Sequence, residues 1–108
     1  MENSGSPEIK LTGENKVEQW LKDNGYSNIS REILSPTANA IQATGSVENI
    51  LVQVRTFSHP QDLIKFSDHE VDILTERAEK LNLVAYAAYV ALDGKEGLAG
   101  EIGWERLV

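Results

Sequence analysis

Apolar residues change their spacing repeatedly along this chain, and each change marks an element. Val17, Trp20 and Leu21 stand at i, i+3 and i+4, the single stripe of an amphipathic helix. Thr12 can cap that helix, although Asn15 is not the Glu or Gln of a full capping box. Gly25 ends it at the position where a left-handed backbone suits glycine, which folds Tyr26 back onto the stripe. Ile29 to Leu34 reads as a short strand and Ser35-Pro36-Thr37 as its break. Asn39 to Thr44 is a weaker second strand, and 45–49 is a turn. Ile50 to Thr56 (ILVQVRT) is the clearest strand, apolar enough to be buried on both faces and therefore central in its sheet. Gln53 and Arg55 interrupt it, and alternation puts both on one face.

The second half repeats the logic. Phe57 to Phe66 is a loop broken by Pro60. Ser67-Asp68-His69-Glu70 matches the capping box, with Val71, Leu74, Ala78 and Leu81 at helical spacing behind it. This helix should run from about Asp68 to Leu81 and end near Asn82. Leu83 to Leu92 (LVAYAAYVAL) reads as a buried strand, 93–97 as a hairpin-type turn, and Leu98 to Val108 as a returning strand. The order helix, three strands, helix, strand, strand predicts an α/β sandwich around a mixed sheet of about five strands flanked by two helices. The early strands form a meander and the second helix crosses over to a parallel partner. Met1 to Leu11 reads as a loose polar lead, and 12–108 as a single domain.

Composition narrows the chemistry. The 108 residues hold ten Lys/Arg against seventeen Asp/Glu, a formal net charge of −7, and no cysteine. There is no disulfide framework, thiolate metal site or thiol nucleophile. No apolar run approaches the ~18 residues of a membrane span, and Met1 to Lys10 lacks the apolar core of a secretory leader, so a cytoplasmic protein is expected. No two basic residues are adjacent, which disfavours an electrostatic grip on DNA. His59 and His69 lie ten apart without zinc-ligand spacing and read as surface residues. The glycines at 94, 97, 100 and 103 are not a phosphate loop, since no Gly-Lys-Ser/Thr follows them.

Several short motifs occur in an order that carries more than any one of them. They are Gly13, Glu18, Leu21 and Gly25-Tyr26 on the first helix, Ala40-Ile41-Gln42-Ala43, then a turn and Ile50-Leu51-Val52-Gln53-Val54-Arg55-Thr56. A capped helix, a strand rich in Ala and Tyr, and a last strand bearing an aromatic follow. This set resembles the PD-(D/E)XK nuclease superfamily, the restriction-endonuclease-like fold, in its Holliday-junction-resolvase and Mrr-like branches. The resemblance spans about Gly13 to Val108. It implies an active site in which an aspartate on one strand and the Glu of an E-x-K strand hold Mg²⁺, while the lysine orients water or stabilises charge.

Carried onto this chain, the resemblance puts Asn39 or Ala40 at the aspartate, Gln53 at the Glu and Arg55 at the lysine; Glu18 keeps its acid. Amide oxygens are far weaker Mg²⁺ ligands than carboxylates, and arginine cannot act as a base. The expectation is a relic polar pocket of Glu18, Asn39, Gln53 and Arg55, with Glu18 paired to Arg55 and no metal or other cofactor. The domain would then be a catalytically inactive relative that binds a protein or a second copy of itself. Two alternatives stand beside it. One is a Mg²⁺-dependent DNA endonuclease of the Q-x-K type, with Glu18 and Gln53 on the metal. The other is an acidic, immunity-type interaction protein that presents Asp68, Asp72, Glu76 and Glu79 to a basic partner.

Overall fold

A computed structural model of the chain describes residues 7–35, 38–58, 64–93, 97–98 and 100–107. Helix α1 (Pro7–Asp23) is followed by strands β1 (Ser27–Ser35), β2 (Ala38–Thr44) and β3 (Asn49–Ser58). Helix α2 (Asp68–Leu81) leads to β4 (Val84–Asp93), a two-residue β5 (Gly97–Leu98) and β6 (Gly103–Leu107). Strands β1, β2 and β3 form an antiparallel meander, β3 and β4 are parallel, and β5 and β6 both return antiparallel to β4. The result is the expected α/β architecture, a mixed sheet with a helix on each face. Among the described residues no helix is long and apolar enough to cross a membrane.

Strand β3 is the middle of this sheet and is buried from Ile50 to Val54. Its alternate residues serve two cores. Ile50, Val52 and Val54 join Val17 and Leu21 of α1, Ile41 and Ala43 of β2, and Ala88, Val90 and Leu92 of β4. Leu51 joins Leu74 and Ala78 of α2 with Ala40 and Ala85. Helix α2 carries the full capping box at Ser67, and Asn82 closes it in a left-handed conformation (φ 59°). Helix α1 ends as its sequence implies. Gly25 sits at φ +89°, its N–H bonds to Lys22 O (3.3 Å), and the Tyr26 N–H bonds to Leu21 O (2.9 Å).

Several boundaries differ from the sequence reading: β1 starts at Ser27, and β3 runs to Ser58, two residues into the expected loop. Helix α1 begins at Pro7 and runs through Thr12, so Thr12 is not its cap. Proline suits a first helical turn because its missing N–H would have no intrahelical acceptor there and its φ is already helical. The expected last strand is split into β5 and β6, with Gly100 at φ +95° between them. The turn at 94–96, His59 and Pro60 lie outside the described residues; His69 is exposed.

Gly13, inside α1, packs directly against Thr56 of β3. A methyl group there would lie 1.8 Å from Thr56 Oγ1 and 2.9 Å from Thr56 Cβ. Glycine weakens a helix interior by about 1 kcal/mol relative to alanine, and here that loss is the condition for the contact. Gly13→Ala should therefore destabilise the domain by about 2 kcal/mol net, the scale of overpacking, when read from denaturant midpoints. Adding Thr56→Ala removes the nearest atom and should recover part of that loss. A neutral Gly13→Ala would show that α1 does not lean on β3 here.

Candidate functional site

Strand alternation decides where the candidate residues go. Val54 faces α1, and Thr56 meets Gly13 of that helix, so Gln53 and Arg55 face α2. Glu18 belongs to α1 and is bonded to Arg31 of β1, which pairs with Ile41 on the α1 face. Asn39 is two residues from Ile41 on the same strand and shares that face, whereas Ala40 packs in the α2-side core. The four expected site residues thus divide into Glu18 with Asn39 above the sheet and Gln53 with Arg55 below it. The Glu18–Arg55 pair is not formed, because the sheet itself lies between the two side chains.

Each charged member has a partner of its own. Above the sheet, one guanidinium gathers three residues of α1. The Nε of Arg31 donates to Glu18, its Nη1 to Glu14 at 2.6 Å and its Nη2 to Asn15 at 3.3 Å. Glu14 is buried, 5 % exposed, and Arg31 supplies its compensating charge. The hydrogen bond that Arg31 donates to Glu18 raises its pKa beyond the ordinary value; burial opposes this, and the charges of both glutamates add to it.

Below the sheet, Arg55 Nη2 reaches both carboxylate oxygens of Glu70 at 3.0 Å, and its guanidinium lies 4.5 Å from the centre of the Phe66 ring. Phe66 also meets Tyr89 of β4 (centroids 5.7 Å apart), and the Tyr89 hydroxyl donates to Glu105 over a long 3.5 Å. Lys65 pairs with the same Glu105 at 3.4 Å. Glu70 is the capping-box glutamate as well, accepting the Ser67 N–H at 2.8 Å. Burial pushes its carboxyl up, but the Ser67 amide and the Arg55 charge outweigh that and hold its pKa below the ordinary 4.5. Gln53 lies on this face, 9 % exposed.

No family model and no curated protein matches the chain. The chemistry therefore has to be argued from these side chains. Arginine stays protonated and can only hold or orient an anion, and Arg55 is already held by Glu70. On the face shared by Gln53 and Arg55, the charges run in matched pairs, Arg55 with Glu70 and Lys65 with Glu105. Among the described residues, no group of three or more His, Cys, Asp or Glu is placed to hold a metal ion.

The partners were only partly legible in the sequence. Glu14 and Glu18 stand at i and i+4 beside Val17 and Leu21, which marks a helix edge next to the core. Nothing in the spacing named Arg31 as their shared cation. Glu70 was visible as a cap and not as the partner of Arg55.

Two outcomes test these pairs. Arg31→Ala leaves Glu14 buried without its cation and should cost about 3 kcal/mol, with partial recovery in the Arg31→Ala/Glu14→Gln double variant. Equal destabilisation of the single and double variants would dissociate the two residues. Glu70 has a depressed folded pKa, so its contribution to stability is present above 4.5 and is lost as pH falls through the folded value. Glu70→Gln should therefore flatten the acid limb of a stability-versus-pH curve. Parallel acid limbs in the two proteins would contradict that.

Proposed function

We propose that this chain is a restriction-endonuclease-like domain that does not hydrolyse DNA and acts by binding a protein, in the first instance a second copy of itself, in the cytoplasm. The order of elements and the parallel β3–β4 crossover support the architecture, since both are what the resemblance implies. One observation carries the rest: Glu18 and the Gln53–Arg55 pair lie on opposite faces of the sheet, each charge matched by another partner. A metal-dependent hydrolase needs carboxylate oxygens converging on one ion.

Binding draws support from strand β1. Among the described residues it pairs with β2 alone and forms an edge of the sheet, with Ile33 69 % exposed on it. Unpaired edge N–H and C=O groups are a template for a further strand. A second reading has its own support, because Asp68, Asp72, Glu76 and Glu79 are all exposed along α2 and would suit a basic partner.

Isothermal titration with Mg²⁺ and Mn²⁺, beside incubation with linear and branched DNA, tests the catalytic half. Neither saturable binding in the low-micromolar range nor cleavage is expected. A saturable site removed by Glu18→Ala would restore the nuclease alternative. Sedimentation of the full chain tests the other half. A concentration-dependent dimer weakened by Ile33→Lys is expected, and a monomer at every concentration would remove self-pairing.

A further inference from the structure

On the α1 face a cavity of about 230 Å³ is walled by Trp20, Tyr26, Ile50, Tyr86 and Trp104. Four of those five walls are aromatic, and they come from four separate places. Trp20 lies in the last turn of α1, Tyr26 just after it, Tyr86 on β4 and Trp104 on β6. The rings do not stack flat. Trp20 and Trp104 meet at 45° with centroids 4.8 Å apart, while Tyr86 stands edge-on to Trp104, at 85° and 6.2 Å. Trp20 remains 37 % exposed at the rim. Edge-to-face and tilted pairs at these distances are ordinary aromatic packing, and here they leave a cavity whose walls present both π-faces and ring edges.

A carboxylate and a guanidinium set the electrostatics at the rim. The Tyr86 hydroxyl donates to a carboxylate oxygen of Glu48, and that bond raises the phenol's pKa above 10.0. The other Glu48 oxygen accepts from Arg106 at 3.3 Å, and the Arg106 charge acts on the phenol in the opposite direction without overcoming the Glu48 bond. A phenol that donates to a carboxylate has its π-system enriched in electron density, so the Tyr86 ring is a better partner for a cation than a free phenol. The chain's net charge of −7 draws cations and repels phosphates at long range.

We propose that this cavity is an aromatic cage for a trimethylammonium group. Such a group needs no hydrogen-bond acceptor, is weakly hydrated, and is attracted by several ring faces within about 6 Å of their centroids. The cavity falls below the ~300 Å³ at which drug-sized ligand sites begin, so it accepts a head group and leaves the rest of the ligand outside. The site is independent of the nuclease-like reading, since none of its walls belongs to that cluster.

The chain's two tryptophans are both walls of this cavity, so intrinsic fluorescence reports on it directly. The full chain would be titrated with choline and with 3,3-dimethyl-1-butanol, the same shape with carbon in place of the charged nitrogen. A saturable fluorescence change with choline is expected in the millimolar range, with the neutral isostere weaker by about tenfold, the scale of cation–π attraction in a partly desolvated site. Glu48→Gln should weaken choline several-fold and leave the isostere unchanged. Trp20→Ala, at a half-exposed position, should abolish choline binding with the circular dichroism spectrum unaltered. Blocked Nε-trimethyl-lysine separates the sources of the group: tighter binding than choline assigns it to a protein side chain, weaker binding to a free small molecule. Equal affinity for choline and its isostere, or no saturable change with either ammonium compound, would overturn the proposal.

Discussion

Strand β3 is covered by helices on both faces, and every side chain it projects is thereby committed to one of two compartments that do not communicate. Val52 and Val54 fill the α1 side, Leu51 the α2 side. The two polar residues in the run, Gln53 and Arg55, inherit the compartment that the period of two gives them. Arg55 cannot be desolvated there without a counter-charge. The first turn of α2 supplies it, because the capping-box glutamate already points back toward the helix start. One side chain thus closes a helix end and neutralises a strand.

The same logic runs on the edge strand, where apolar contact is thinner. Arg31 and Glu32 are consecutive on β1 and therefore point to opposite faces. Arg31 bonds to α1 through Glu14 and Glu18, while Glu32 accepts from Arg77 of α2, which also donates to Ile33 O at 3.1 Å. Exposed ion pairs contribute about 0.2–1 kcal/mol each, and the buried Glu14 raises the stake on one side. The edge strand is held between two helices by its own adjacent charges. Its hydrophobic anchors, Ile29 and Leu34, are half-buried and sit in separate cores.

That arrangement explains what could be read in advance. Element types followed from period and caps: the Ser67 box, the Gly25 stop and the apolar run 50–56 each act through neighbours within a few residues. The shared face of Gln53 and Arg55 followed from alternation alone. Which helix covers that face depends on how the α2 crossover wraps the sheet, a relation between elements about thirty residues apart that spacing does not encode. The Glu18–Arg55 pairing rests on the implied family site and on the need of a buried-strand arginine for a partner; the sheet between them is a property of the assembled fold. The start of α1 was placed too late for a related reason. The polar lead with Gly5 and Pro7 reads locally as loose, and its last residues are helical because α1 starts at Pro7.

The charged groups described on the sheet faces are largely consumed by the fold, and this constrains how the protein can recognise anything else. A strand guanidinium held by the glutamates of a neighbouring helix offers a phosphate little, and a carboxylate clamped by arginine offers a metal little. Recognition must then come from features whose bonding capacity the fold leaves unspent. An edge strand keeps half of its backbone groups, and an aromatic ring keeps its π-face even when its perimeter is packed. The Trp104 indole N–H is buried without an acceptor, an arrangement that costs about 1–3 kcal/mol. An apolar side chain in its place would avoid that loss while filling the same corner. The corner holds tryptophan instead, set at 45° to Trp20 and edge-on to Tyr86. Those ring contacts are worth about 0.5–1.5 kcal/mol each beyond burial, which offsets that loss.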